Sequence, residues 1–180
     1  MKNTLLIVLL MSLISCNNAE KKENKTSVTN NETPPKKELI VSMEFKTNKE
    51  DDFKLMLNNI VYDEFQRKNI HILEKVMPSS GVESLTANFG DNLSNEFQFN
   101  LGNKVPKEVE VFSMTLSYGD NTVVIGPENI GDYFEVSKKF IKYDTTSGKL
   151  ITIKVNGNHT PSLYMRGKTL DKLKGINSNE

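Results

Sequence analysis

The sequence predicts an all-β domain, specifically a two-sheet antiparallel sandwich of the jelly-roll type. From Glu38 onward, apolar residues alternate with polar residues at a period of two, which is typical of strands with one buried face. Short clusters of Gly, Asn, Asp and Pro separate these runs and predict turns between them. The result is roughly nine or ten short strands, a number that two packed sheets accommodate.

The first five predicted strands each place their apolar side chains on one face. In the first strand, Leu39, Val41 and Phe45 point one way, while Ser42 and Glu44 point the other way. The same alternation places the next four strands at residues 53–57, 70–72, 85–89 and 97–101. Each of these strands is expected to bury one face and to leave the other in water.

The second half of the chain continues the pattern, with strands at residues 107–118, 122–125, 139–143, 150–155 and 162–166. In the longest of these, the apolar positions change parity after Val111, because Phe112, Met114 and Leu116 follow it. A β-bulge near Val111 would produce this shift. Residues 144–148 are predicted to form a hairpin connection. Helical periodicity is limited to a partial face around Ile130 and one terminal turn at residues 169–174.

The N-terminus has the features of an export signal. Lys2 precedes an apolar run at residues 5–11, which is too short to cross a bilayer core of about 30 Å as a helix. The run leads into Leu13-Ile14-Ser15-Cys16, which resembles the lipobox of bacterial lipoproteins. The resemblance implies that residues 1–15 are a signal peptide and that Cys16 is acylated, which would anchor the chain to a membrane. The alternative is an ordinary secretory signal with an incidental cysteine.

Residues 16–37 are predicted to be a disordered tether. After Cys16 this segment contains Ala19 and Val28 as its only apolar side chains, which is too little burial to offset the entropy of ordering. Its Asn- and Lys-rich composition resembles that of Bacteroidetes-type surface lipoproteins, which implies an outer-membrane location. Whether the chain faces the periplasm or the cell surface stays open, because Glu20 and Glu23 are diluted by neighbouring lysines. The sandwich is assigned to residues 38–168, and residues 169–180 to a C-terminal tail.

One stretch of the sandwich carries a family resemblance. The segment 97–102 reads FQFNLG and is followed by KEVEV at 107–111. This order is similar to a pair of strands in galactose-binding-like jelly rolls and carbohydrate-binding modules, and it implies a glycan-binding-like domain. The sequence departs from that pattern in placing Phe112 where the family has Asp, and in having no tryptophan.

Such modules bind sugars with an exposed aromatic ring and neighbouring polar groups, so the tyrosines are the candidate ligand-binding residues. Tyr118 and Tyr133 are favoured because each adjoins a Gly-Asp pair expected in a loop. The predicted ligand-binding set is therefore Tyr118, Asp120, Tyr133 and Asp132. A buried tyrosine with one satisfied hydroxyl is the structural alternative for each ring.

Other functional classes find little support in the sequence. Lysine plus arginine and aspartate plus glutamate balance at 23 each, which argues against a nucleic-acid partner. Cys16 is the only cysteine, so the body has no thiol nucleophile or thiolate metal site. His71 and His159 are isolated, and no Gly-x-Ser-x-Gly elbow is present. Acidic pairs such as Asp51-Asp52 are interpreted as solvated, so no catalytic residue is assigned and the chain is predicted not to be an enzyme.

Two further kinds of site, a structural calcium site and a glycosylation site, stay open. Asp91, Asp120, Asp132 and Asp144 lie in predicted turns and could contribute to a structural calcium site, although no D-x-D-x-D-G loop is present. No other cofactor or metal is expected. Asp144-Thr145-Thr146 resembles the acceptor motif of Bacteroidetes-type O-glycosylation, which makes Thr145 a candidate glycosylation site.

The sequence therefore predicts a membrane-anchored, non-catalytic, glycan-binding-like module in the cell envelope. The alternative is a protein-interaction or structural subunit of an envelope complex, which would present a large exposed apolar patch or a sheet edge for strand addition.

Overall fold

The computed structural model describes residues 36–176. The predicted signal peptide, Cys16 and nearly all of the predicted tether lie outside the described residues. The described chain begins with seven strands: β1 Leu39–Thr47, β2 Asp51–Val61, β3 Arg67–Val76, β4 Glu83–Asn88, β5 Glu96–Asn100, β6 Glu108–Tyr118 and β7 Asn121–Ile125. A 3-10 turn at Pro127–Asn129 leads into the rest: α1 Ile130–Tyr133, β8 Phe134–Val136, β9 Ile141–Asp144, β10 Lys149–Thr152, β11 Ser162–Met165 and α2 Gly167–Leu173.

The strands form two antiparallel sheets, which confirms the predicted all-β two-sheet sandwich. The first sheet has the order β4-β1-β6-β10-β9, and β7 also pairs with β6. The second sheet has the order β3-β2-β5-β11-β8. Most consecutive strands lie in different sheets, while β2–β3, β6–β7 and β9–β10 are hairpins. Nearly every element therefore contributes one face to the shared core.

Aromatic side chains link the two sheets through the core. Phe45 of the first sheet lies 5.3 Å from Phe53 of the second, measured between ring centroids. Phe53 in turn packs edge-on against Phe99 at 5.7 Å. All three rings are buried, and offset or edge-on ring pairs of this kind are the favourable arrangements. The apolar positions of the period-two pattern are thus the ones whose side chains are buried between the sheets.

The bulge predicted near Val111, in β6, is confirmed. Glu44 of β1 pairs with Ser113 of β6, whereas the next residue, Phe45, pairs with Val111. Phe112 is the extra residue, and it shifts the parity of β6 by one position. As a result, Val111 and Met114 both face the core although their spacing is odd.

Two hydrogen bonds define one end of the sandwich, called here the N-terminal end. The backbone N–H of Leu39, where β1 begins, donates to the carbonyl of Gly90 at 2.7 Å. From the same β4–β5 loop, the Ser94 hydroxyl donates to the carbonyl of Asn58, close to the end of β2, at 2.6 Å. The start of β1 and the β2–β3 turn therefore lie at the same end. The loops 48–50, 101–107 and 153–161 lie at the opposite end.

The terminal helical turn predicted at residues 169–174 is part of a slightly longer helix, α2. Thr169, Leu170 and Leu173 of this helix are buried, and it contacts β7. The packed body therefore continues beyond residue 168, the predicted end of the sandwich. None of the helices in the described part of the chain is long and apolar enough to cross a membrane.

Candidate functional site

The candidate site lies on the solvent face of the second sheet. Successive pairings place Met56 of β2, Gln98 of β5, Tyr164 of β11 and Glu135 of β8 side by side across the strands. Asn100 and Ser162 form a neighbouring pair along the same face. This surface, defined by Asn58, Gln98, Asn100, Ser162 and Tyr164, is called here the amide face.

Hydrogen bonds hold the amide face in one arrangement. The side-chain amides of Gln98 and Asn100 both donate to the Ser162 hydroxyl, at 2.8 and 3.0 Å. Ser162 itself is fully buried. Because a primary amide has two N–H donors and a carbonyl acceptor, the single side-chain bond of Gln98 leaves capacity for a ligand. The Gln98 and Asn100 amides are therefore held in defined positions around the Ser162 hydroxyl.

A depression of about 260 Å³ lies beside Tyr164. Its lining includes the amide groups of Asn58, Asn95 and Gln98 together with the Tyr164 ring. The volume lies just under the range of roughly 300–1,000 Å³ typical of enclosed small-molecule sites. A site of this size suits a ligand of one or two ring-sized units, or part of a longer polymer.

Tyr164 is 44% exposed, although it lies on a strand between two buried residues, Leu163 and Met165. It is one of the candidate tyrosines, but the sequence analysis favours Tyr118 and Tyr133 over it. The alternation of side chains along the strand could have identified it, because its two apolar neighbours face the core and the tyrosine between them must therefore face outward. Proximity to Gly-Asp pairs, the criterion used for Tyr118 and Tyr133, selects loops and so missed a residue on a sheet.

Tyr118 and Asp120 lie at the β6–β7 turn, at the N-terminal end of the sandwich. The Tyr118 ring is half-buried against the core, and its hydroxyl lies 3.5 Å from the carbonyl of Asp91. Asp120 is exposed in the turn itself. Tyr118 is therefore tied to the β4–β5 loop, and both residues belong to the β6–β7 hairpin of the first sheet, whereas the amide face is on the second.

Tyr133 and Asp132 lie in α1 and have different partners. The Tyr133 hydroxyl accepts a hydrogen bond from Lys172 of α2 at 3.2 Å, and the Lys172 ammonium also lies over the Tyr133 ring. Asp132 is exposed. Tyr133 lines a shallow depression between α2 and β7 that is separate from the one beside Tyr164. The predicted residues thus fall into two places, and neither includes the amide face.

A second depression, of about 340 Å³, lies between the edge strands β8 and β9. Tyr143 and Arg166 line it, and Thr145, the candidate glycosylation residue, lies exposed at its rim. The Tyr143 hydroxyl donates to the carbonyl of Pro127, and burial raises the pKa of this phenol. The Arg166 Nε donates to the carbonyl of Gly131 at 3.1 Å. The Tyr143 hydroxyl and the Arg166 Nε are therefore both held by internal partners.

A polar cluster that the sequence analysis did not predict is buried at the end of the sandwich opposite the N-terminal end. Asp51 was expected to be solvated, but its side chain is fully buried, and its Oδ2 lies 2.6 Å from the equally buried Lys107 Nζ. The correction has a physical reason: Lys107 and the backbone N–H groups of Asp52 and Lys104 provide the partners that a buried carboxylate requires. The Lys107 ammonium also donates to the carbonyl of Leu101 at 2.9 Å.

His159 borders this cluster and is only 5% exposed. Neither ring nitrogen has a partner in hydrogen-bonding geometry among the described residues. Burial lowers the pKa of His159. The nearby backbone of Asn103 acts in the opposite direction and raises the pKa, although it does not form a hydrogen bond with the ring. The interior around His159 therefore favours the neutral ring. The cluster packs one end of the sandwich.

Among residues 36–176, no group of three or more His, Cys, Asp or Glu side chains is arranged to hold a metal ion. Asp144, one of the four aspartates considered for calcium, instead accepts hydrogen bonds from the Thr146 backbone and the Ser147 hydroxyl at 3.0 and 2.6 Å.

Comparisons of the chain with protein-family models, with curated proteins and with solved structures find no match.

Proposed function

We propose that this chain is a membrane-anchored, non-catalytic module that binds a glycan on the amide face. The observation that carries the proposal is the exposed ring of Tyr164 beside the amides of Gln98 and Asn58. An exposed aromatic ring supplies a flat apolar surface for the face of a sugar. The amides supply both donors and acceptors for its hydroxyl groups.

Two further features support binding of an uncharged polymer. The polar side chains that form the depression are mostly amides, with Glu96 as the one carboxylate in its lining. The row of outward residues also continues beyond the depression, because Tyr164 pairs with Glu135 of β8, so a chain of sugars can extend across the sheet. Lipid anchoring through Cys16 would hold such a module close to the envelope, which is where glycan polymers accumulate.

The test is binding of the chain to an array of neutral oligosaccharides, followed by calorimetry on any ligand found. We expect Tyr164→Ala to weaken binding about tenfold or more, which corresponds to roughly 1.4 kcal/mol, because stacking on the ring is lost. Gln98→Ala is expected to weaken it as well.

Tyr62→Ala is the matched control, since Tyr62 is an exposed tyrosine on the β2–β3 turn that does not line the depression. Circular dichroism of each variant separates loss of binding from loss of folding. Equal binding by the native chain and Tyr164→Ala would refute the assignment of the amide face. Absence of binding across the array would refute the glycan proposal itself.

A further inference from the structure

The turn between β2 and β3 exposes an unusual amount of apolar surface. Phe65 is 91% exposed, Val61 68% and Tyr62 67%. These three residues, called here the aromatic turn, lie within five consecutive positions, residues 61–65. Scattered exposed apolar residues are ordinary, but a local group that includes two aromatic rings indicates a surface that is covered in use.

The aromatic turn is held rigidly. The Asp63 carboxylate accepts hydrogen bonds from the backbone N–H groups of Phe65 and Gln66, both at 2.8 Å. The guanidinium of Arg67 donates to the carbonyls of Asp63 and Gln66, both at 3.0 Å. Phe65 is therefore presented at a fixed position, and little ordering entropy remains to be lost when it is covered.

The position of the turn identifies what covers it. The start of β1 and the end of β2 bind the same β4–β5 loop, so the chain that precedes residue 36 joins the body at the end where the aromatic turn projects. That preceding chain includes Cys16, the proposed site of acylation. The end of the body that bears the aromatic turn is thus the end that faces the membrane when the tether is short or taut.

The size and chemistry of the aromatic turn also fit a bilayer better than a protein. A stable protein interface buries about 800 Å² on each partner, which three side chains at a convex turn do not supply. A bilayer interface needs no complementary surface. Aromatic rings flanked by cations are typical of residues at that depth, and Lys68 lies over the Tyr62 ring at 5.6 Å, measured to the centroid.

We infer that the aromatic turn inserts into the interface of a lipid bilayer and orients the body on the membrane. Phe65 and Val61 enter the boundary between headgroups and acyl chains, while Tyr62 and Lys68 lie at headgroup level. The inference rests on the proposed anchoring of the chain, and it adds a second, non-covalent contact to the covalent one. The two contacts together stabilise one orientation that a flexible tether alone would not define.

The sequence supplies a clean experiment, because it has no tryptophan and a single cysteine. The chain from Cys16 onward is coupled through its thiol to a maleimide lipid in vesicles of phosphatidylethanolamine and phosphatidylglycerol. Phe65→Trp then introduces the only tryptophan. We expect its emission to move to shorter wavelength on the vesicles, and lipids brominated in their acyl chains to quench it roughly twofold or more.

Leu73→Trp is the matched control, since Leu73 is 65% exposed on the outer face of β3, further along the same hairpin. Its emission should change little. Equal emission and equal quenching for the two variants would overturn the inference. A shift of the Phe65→Trp emission in concentrated protein without vesicles would also overturn it, because it would indicate self-association. A protein that protects the Phe65→Trp fluorophore from brominated lipid in native membranes would also overturn it. An unmodified Cys16 in the native protein would refute the proposed lipid anchor. This test would stay valid, because the maleimide lipid attaches the chain to the vesicle without cellular acylation.

Discussion

The Asp51 carboxylate keeps its charge in the interior because its oxygens have donors. Burial alone would raise its pKa, but the Lys107 ammonium and the backbone N–H groups of Asp52 and Val105 outweigh burial and lower the pKa. Burial lowers the pKa of Lys107, so desolvation offsets part of the attraction within the pair. Since the folded pKa of Asp51 is depressed, its contribution to stability is complete above its unfolded value of about 3.9 and is lost as pH falls below that value.

His159 predicts a separate loss of stability at milder acidity. Its folded pKa is depressed by burial, so its contribution is complete above the unfolded value of about 6.5 and is lost as pH falls below it. Between pH 7.5 and pH 5.5, this residue should lower the free energy of unfolding by up to about 1.4 kcal/mol. Urea unfolding at the two pH values measures the change.

Substitution separates His159 from other titrating groups. In His159→Gln, the difference in unfolding free energy between pH 7.5 and pH 5.5 should shrink by that amount. His71→Gln is the control, because His71 is exposed on β3 with Asn58 as its partner at 3.3 Å. An unchanged pH dependence in His159→Gln would show that the imidazole is not held neutral.

Single residues differ in how far the sequence predicts their environment. Tyr164 was predictable in principle, because its neighbours Leu163 and Met165 require opposite faces of one strand. The burial of Asp51 was not, because its partner Lys107 is distant in sequence and comes close only when β2 and the β5–β6 loop meet at one end of the sandwich. A period-two pattern indicates which side chains of a strand face the core. It carries no information about which loops, distant in sequence, come into contact in the folded chain.

The β5–β6 loop shows how one element depends on a single glycine. Gly102 has a φ of +83°, and a Cβ added there would lie 2.3 Å from the Asp51 Cγ. The loop can fold over the buried carboxylate only because this side chain is absent. Gly102→Ala should therefore destabilise the fold by roughly 3 kcal/mol or more, from backbone strain together with displacement of the Asp51–Lys107 pair.

Gly157→Ala is the matched control for this loop. Its φ is +81°, almost the same as that of Gly102, but no atom lies within 4 Å of the added Cβ. It should cost about 1 kcal/mol, the penalty of the left-handed conformation alone. Urea unfolding followed by circular dichroism gives both values. Equal costs would show that Asp51 moves away freely and that the buried pair does not constrain the loop.

At the level of elements, alternation within strands was the dependable signal. It located ten of the eleven strands of the described chain and the bulge at Phe112, since these depend on local sequence, but it did not predict the short edge strand β8. It did not give the strand order, because pairing depends on contacts between distant segments such as β1 and β6. Nor did it show that α2 belongs to the body, since the burial of Leu170 and Leu173 requires the neighbouring β7.

For the whole molecule, the central prediction is that Cys16 determines where the chain resides. Cys16→Ser should transfer the protein from the membrane fraction to the soluble fraction, because several acyl chains anchor stably and the variant would carry none. Mass spectrometry of the native protein should show a lipid-modified Cys16 at its N-terminus. Tyr164→Ala is the control and should stay with the membrane. A native protein recovered with a free thiol would contradict this prediction.

The position of β1 determines how the body responds to mechanical force. β1 is paired on both sides, with β6 along Leu39–Thr47 and with β4 along Ile40–Phe45. If the molecule is anchored through its N-terminus and holds a polymer on the second sheet, flow or cell movement pulls on the start of β1. That load acts along the strand, across two ladders of hydrogen bonds that must shear together instead of opening one at a time. The strand that receives the pull is one of the best suited in the molecule to resist it.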